Sequence, residues 1–254
     1  MPMRPAWNRP ICSSVIRLPE PWRNGPGSTA QIAPPATDWF LRAVSMYTLY
    51  FAPTANGHKI LIMLEALGVS YRIRRINLAQ GEQHQPDFAR LTIHRKIPLL
   101  VDHDQALILP ESGAILQYLA EKHLRFLPCV GPERYAVLHW LAWQISSLGP
   151  MAGQSYHFIH QEAEGNQYAR SRYQEQTVHL FNTVEKALAG RDFIARMYSI
   201  ADMAIYPWLR IHAQLQVDIQ TLPNVAGYLK RMAAREEVLT AYAKGARSTS
   251  TLPG

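Results

Sequence analysis

The polar groups in this chain that could do chemistry fall in short clusters rather than in any familiar catalytic triad. Thr54 and Asn56 precede Gly57, where a short apolar run gives way to a helical pattern. A hydroxyl and an amide at a helix N-terminus are hydrogen-bond donors, and donors there stabilise an anion. Glu111 and Ser112 open another helical stretch. Ser112 offers a hydroxyl and N–H groups to an anion and Glu111 a carboxylate to a cation, although the same pair also serves as a plain helix cap. Protein nucleophiles are scarce. The two cysteines, Cys12 and Cys129, form no Cys-x-x-Cys pair, which excludes a disulfide framework and a cysteine-based zinc cage. His157 and His160 have helical spacing but no evident third ligand, so no metal is expected. No phosphate-binding glycine loop and no Gly-x-Ser-x-Gly elbow is present.

The elements that must position these groups can be read from periodicity. Tyr47 to Phe51 is β-prone and stops at Pro53. Ile60, Leu61, Met63, Leu64 and Leu67 then share one helical face, closed by Gly68. Val69 to Leu78 alternates as a second strand, with Arg72, Arg74 and Arg75 read as one strand face. A short helical piece surrounds Phe88 and Leu91. Pro98 to Val101 and Ala106 to Leu109 form an antiparallel pair turned at Asp102 to Gln105. The helix begun at Glu111-Ser112 turns Ile115, Leu116 and Leu119 inward. The order β-α-β-α-β-β-α is that of thioredoxin. Beyond His123 the strand signals stop. Arg134 to Leu148 and Arg170 to Leu188 carry helical spacing, Ser199 to Asp202 is a capping box, and Pro223 opens a helix through Arg235. Trp140 and Trp143 read as core. Strands followed by helices mean an α/β unit and then an all-α unit.

Composition narrows the function classes. With 48% apolar residues the chain is not disordered throughout, and it lacks an apolar run long enough to span a membrane. A net charge of +7 would suggest a nucleic-acid partner, but the charge is diffuse. Residues 1–45 hold five Arg against Glu20 and Asp38, and no basic run is interleaved with aromatics. The same segment contains eight of the eighteen prolines, so it is expected to be an extended tail, with the working protein beginning at Met46. The expected division is a tail at 1–45, an α/β domain at 46–123, a linker at 124–132, a helical domain at 133–245 and a tail at 246–254.

An α/β unit of thioredoxin order followed by an all-helical one resembles the glutathione transferases, and the residues agree. Tyr50-Phe51-Ala52-Pro53-Thr54-Ala55-Asn56-Gly57-His58-Lys59-Ile60 resembles the first strand and helix start of the bacterial Nu-class enzymes, which act as glutathione-dependent disulfide-bond oxidoreductases. Lys96-Ile97-Pro98, Glu111-Ser112-Gly113-Ala114-Ile115, Trp140 to Gln144, Leu148 to Gln154 and Ser199 to Asp202 are similar too. The resemblance runs from about Met46 to Ala243, and it implies a glutathione-transferase fold and a homodimer.

It also implies roles. Pro98 resembles the family's cis proline, and Ile97 would pair with the cysteinyl backbone of glutathione as an added strand. Ser112 and Glu111 would hold the γ-glutamyl zwitterion. Thr54 and Asn56 stand where other classes place a Tyr, Ser or Cys at the sulfur, with Tyr50 as the rival. Gln83 matches a Gly-x-Gln context, and Arg172 matches an arginine near the site. Where the family usually has Asn-Pro and a turn, this chain has Thr92-Ile93-His94-Arg95, which leaves the glycyl-carboxylate contacts near Arg95 open. The implied activity is reduction of small-molecule or protein disulfides by bound glutathione, or binding of its disulfide, with no metal and no protein cysteine. The expected setting is a reduced cytoplasm, without nucleic-acid or membrane partners. Conjugation of glutathione to electrophiles is the alternative, and a non-catalytic regulator a further one. A protein starting at Met46 is expected to match the full chain in thermal midpoint and turnover. A midpoint loss of several degrees on truncation would show that the tail packs.

Overall fold

The computed structural model describes residues 46–160 and 165–246. The expected tail at 1–45, with Cys12, and all of the one at 246–254 except Ala246, the last residue of a helix, lie outside the described residues. Strand β1 (Tyr47–Phe51) carries the first part of the core, because Tyr47, Leu49 and Phe51 alternate inward and are fully buried. Helix α1 (Ala55–Leu67) lays Ile60 to Leu64 over that face. It ends, as its sequence predicts, at Gly68 in the left-handed conformation, with the Gly68 N–H donating to the Leu64 and Glu65 carbonyls.

Strand β2 (Tyr71–Arg75) runs parallel to β1. It is shorter than the alternating run that predicts it, because the Asn77 side chain accepts from the Gln80 N–H and turns the chain into a 3-10 turn. Arg75 does not share one face with Arg72 and Arg74. Its guanidinium donates to the carbonyls of Lys244 and Gly245 at 2.6 and 2.9 Å and covers the Phe51 ring. After the short α2 (Pro86–Ala89), β3 (Leu99–Asp102) pairs antiparallel with β1 and with β4 (Leu107–Pro110). The sheet order is β2-β1-β3-β4. Helix α3 (Ser112–His123) closes this half, with Ile115, Leu116 and Leu119 buried as expected.

The helical half differs from its sequence reading at one junction. The expected helix from Arg134 to Leu148 is α4 (Pro132–Trp143) followed by a π-helical turn (Gln144–Leu148), which leads straight into α5 (Gly149–His160). The expected helix ends at Leu148, yet the chain stays helical through Gly149-Pro150. Glycine fits there because a Cβ at residue 149 would lie 2.8 Å from Gln144 Nε2. Trp140 and Trp143 sit half-buried against the core, edge to face at 5.1 Å. Then follow α6 (Gln167–Ala187), α7 (Ile200–Arg210), α8 (Pro223–Ala233) and α9 (Glu236–Ala246). Among the described residues no helix is long and apolar enough to cross a membrane.

The capping box of α7 is formed as read. The Asp202 carboxylate, fully buried, accepts from the Ser199 N–H and from the Ile194 N–H, each at 3.0 Å. Asp202→Ala would leave both N–H groups buried and unpaired, at about 1–3 kcal/mol each. A loss of about 2–4 kcal/mol in urea unfolding is expected, with Asp202→Asn losing less. A loss below about 0.5 kcal/mol, the scatter of ordinary surface changes, would contradict the role given to this carboxylate.

Candidate functional site

The site is built from the junction of β1 and α1 outward. A Cβ at Gly57 would stand 2.3 Å from the Ala52 carbonyl oxygen and 2.9 Å from the Phe51 ring, so only glycine lets α1 begin against the end of β1. Thr54, in extended backbone, caps the helix, and its Oγ1 accepts from the Gly57 N–H at 3.1 Å. That bond uses an oxygen lone pair and leaves the hydroxyl hydrogen free to be donated. Asn56, half-buried in the first turn, makes no side-chain hydrogen bond to a described residue. The N–H groups of Ala55 and Asn56 have no acceptor within the helix, and the helix dipole adds partial positive charge there. A hydroxyl, an amide and free N–H groups thus lie within three residues of one another at the start of α1. His58 braces the cap from behind: its Nδ1 lies 2.9 Å from the Thr54 carbonyl oxygen, and its ring stacks on Tyr242 of α9 at 4.1 Å. Burial lowers the His58 pKa, favouring the neutral ring. Tyr50 falls between the inward-facing residues of β1, with its ring against Phe88 of α2 at 5.6 Å.

Ile97-Pro98 is a cis peptide bond. The β1–β3 ladder starts at Leu99, which leaves the half-buried Ile97 outside it. Glu111 precedes α3 with φ 71° and ψ 112°, a conformation that costs a non-glycine residue about 1–3 kcal/mol and that collects at functional sites. Its side chain is exposed, whereas Ser112 beside it is buried.

Behind Ser112 lies a residue the sequence reading passed over. Lys59 of α1 is 1% exposed. Its Nζ donates to Ser112 Oγ at 3.2 Å and to Gln144 Oε1, on the π-helical turn, at 2.5 Å. Burial pushes the amine down to about 7, with the Glu111 charge pulling the other way. Asn56 and Lys59 are three residues apart and adjacent on the helix surface, so α1 carries both the donor cluster and the support for Ser112.

The remaining candidates are not drawn into this network. Gln83, in the 3-10 turn Glu82–His84, has a buried Oε1 without a hydrogen-bond partner among the described residues. Arg95 is exposed with φ 49°. Arg172 is exposed on α6, and no hydrogen bond or ion pair joins it to another candidate among the described residues. Cys129 is exposed in the segment before α4. No group of three or more potential metal ligands occurs among the described residues.

Comparison with known proteins matches the glutathione S-transferase N-terminal domain to residues 45–121 and the glutathione S-transferase C-terminal domain to residues 141–236. The chain is 42% identical over 196 residues to the disulfide-bond oxidoreductase YfcG of Escherichia coli (strain K12), covering 75% of this chain and 91% of the relative. Among solved structures, a glutathione transferase family member from Pseudomonas fluorescens Pf-5 with two glutathione bound is 33% identical, with a TM-score of 0.72 over 78% of this chain and 92% of that one. A glutathione transferase from Pseudomonas putida, with one glutathione disulfide bound per subunit, is 35% identical, with a TM-score of 0.73 over 78% and 90%.

The buried amine makes stability pH-dependent. In the folded chain Lys59 loses its proton near pH 7, whereas the unfolded chain keeps it to about 10.5. Between those values the unfolded state binds more protons, so this group adds stability as pH rises, by up to about 1.4 kcal/mol per unit. Denaturant unfolding from pH 7 to 9 should show a steeper rise for the wild type than for Lys59→Met. Parallel curves would contradict the burial of a titrating amine.

Proposed function

This chain belongs to the glutathione S-transferase family, and from that membership we propose that it reduces disulfides with glutathione, taking electrons from bound glutathione thiols rather than from a protein cysteine. The observation that carries this reading is the end of β1, where donors for a thiolate stand at the start of α1 and the segment from Tyr50 to Ile60 contains no cysteine. The name of the Escherichia coli relative, and two glutathiones or one glutathione disulfide in related structures, support it over conjugation to electrophiles.

Two glutathiones in one site supply the two electrons that a disulfide needs. One bound thiolate attacks a sulfur of the substrate disulfide, forming a mixed disulfide and expelling the other sulfur as a thiolate that takes a proton. The second glutathione thiolate attacks the glutathione sulfur of that mixed disulfide, releasing the second substrate thiol and leaving glutathione disulfide. A free thiol near pKa 8.5 is only about 3% ionised at pH 7, and half-ionising it requires about 2 kcal/mol. The Thr54 hydroxyl and the Asn56 amide at about 1 kcal/mol each, with the α1 N-terminus, are sufficient.

The rest of the assignment follows the tripeptide. Ile97, ahead of Pro98, pairs with the cysteinyl backbone; Ser112 and Glu111 take the γ-glutamyl carboxylate and ammonium; Gln83 and Arg172 contact the remainder. The orphaned Oε1 of Gln83 favours its place in this set. The finer reading is a Nu-class homodimer of a reducing cytoplasm, divided at 46–123 and 133–245.

If Thr54 and Asn56 donate to the thiolate, Asn56→Ala should raise the bound thiol by about 0.7 pKa units, and the double change with Thr54→Ala further. Tyr50→Phe should move little, its ring being packed on Phe88. Thiolate absorbance titrated with pH, alongside turnover, reads these shifts. A large alkaline shift in Tyr50→Phe with none in Asn56→Ala would give the role to the tyrosine.

A further inference from the structure

Lys59 is a buried ionisable side chain without a carboxylate partner among the described residues. Its partners among the described residues, Ser112 Oγ and Gln144 Oε1, are both neutral, and no carboxylate forms an ion pair with it. A neutral amine has two N–H groups, which these two acceptors satisfy. An ammonium has a third, with no acceptor among the described residues. Burying a charge in that state is costly, and proteins that keep one normally pair it.

Most charged groups on the elements packed against α1 are engaged elsewhere; Glu237 of α9 pairs with Arg235, and Glu236 stands beside it in the first turn of α9. On α7, Asp202 is held by backbone N–H groups and Arg210 covers the Tyr242 ring. On α9, Lys244 pairs with Glu65. On α3, Lys122 pairs with Asp102 and Glu121 with Arg134. Glu111, exposed at the start of α3, favours the charged form of Lys59. The tyrosines Tyr206 and Tyr242 are held above their ordinary values by burial and are uncharged near neutrality.

We propose that Lys59 is the positioning residue of the γ-glutamyl carboxylate subsite, and that it takes up a proton from solvent when that carboxylate binds at Ser112. The inference rests on the glutathione reading of the site and goes beyond it, because it assigns the buried amine a role and a proton. A Lys59 N–H occupying a lone pair of Ser112 Oγ turns the hydroxyl hydrogen away from the lysine, where it can be donated to the ligand carboxylate. The arriving anion supplies the missing counter-charge, and the amine becomes an ammonium. The depressed value near 7 places this change within reach of neutral pH. Gln144, the other anchor, sits on the π-helical turn of the helical half, so the subsite is held from both halves of the chain.

The test uses S-methylglutathione, which keeps the γ-glutamyl end but has no thiol to ionise. Calorimetric titration of the full chain at pH 7.5, in buffers of different ionisation enthalpy, counts the protons moved on binding. More than half a proton taken up per ligand is expected in the wild type, with affinity falling as pH rises from 7 to 8.5. Lys59→Met should bind at least tenfold more weakly, with uptake near zero. Wild-type binding without proton uptake would overturn the inference and leave the glutathione reading standing, and it needs no variant to fold. So would unchanged uptake in a folded Lys59→Met. No binding of S-methylglutathione by the wild type would instead remove the glutathione reading, and the inference with it.

Discussion

Everything in the site depends on how closely helix α1 starts against the end of strand β1. The missing side chain of Gly57 lets the first turn press on the Ala52 carbonyl and the Phe51 ring, and the Thr54 cap fixes where the free N–H groups face. A Cβ at 2.3 Å from a backbone oxygen has no flexible neighbour to yield. From that start, five consecutive fully buried residues, Ile60 to Leu64, tie the helix to the core. A helix this constrained presents its N-terminus as fixed positive potential, and preorganised donors stabilise an anion better than donors that must reorganise around it.

The same helix links the two halves at the candidate site. Lys59 reaches from α1 to Ser112 at the start of α3 and to Gln144 beyond α4. One residue earlier on the helix, the His58 ring stacks on Tyr242, while Arg75 holds the carbonyls at the end of α9. The buried lysine and the strained backbone at Glu111 both cost stability, and both lie where a zwitterionic ligand end is assigned. Such local costs are what a preorganised polar site requires.

Much of this was legible in the sequence where one local pattern determines one local structure. The alternation of Tyr47 to Phe51, the αL residue Gly68, the Ser199–Asp202 box and the thioredoxin strand order are of that kind. The helix start at Glu111-Ser112 was legible in the same way, and the chemistry assigned to it and to Thr54 and Asn56 is part of the proposal. Lys59 was not, because a charged residue inside an apolar helical run reads as a solvated position; only the packing of Ser112 and Gln144 around it gives the burial. Arg75 was misplaced because strand alternation puts it opposite Arg72 and Arg74 while composition groups the three together. The π-helical turn was hidden because Gly149-Pro150 has the local signature of a break, and the close approach of Gln144 to Gly149 is a tertiary feature that spacing does not show.

The central claim is that the electrons come from bound glutathione and not from this chain. The most direct measurement is steady-state reduction of a model disulfide, with glutathione as sole reductant, by a protein in which Cys12 and Cys129 are both changed to serine. Turnover close to that of the unaltered chain is expected, with glutathione disulfide formed in equal amount to the disulfide reduced. Loss of turnover in the folded double variant would contradict it and make a protein thiol part of the reaction.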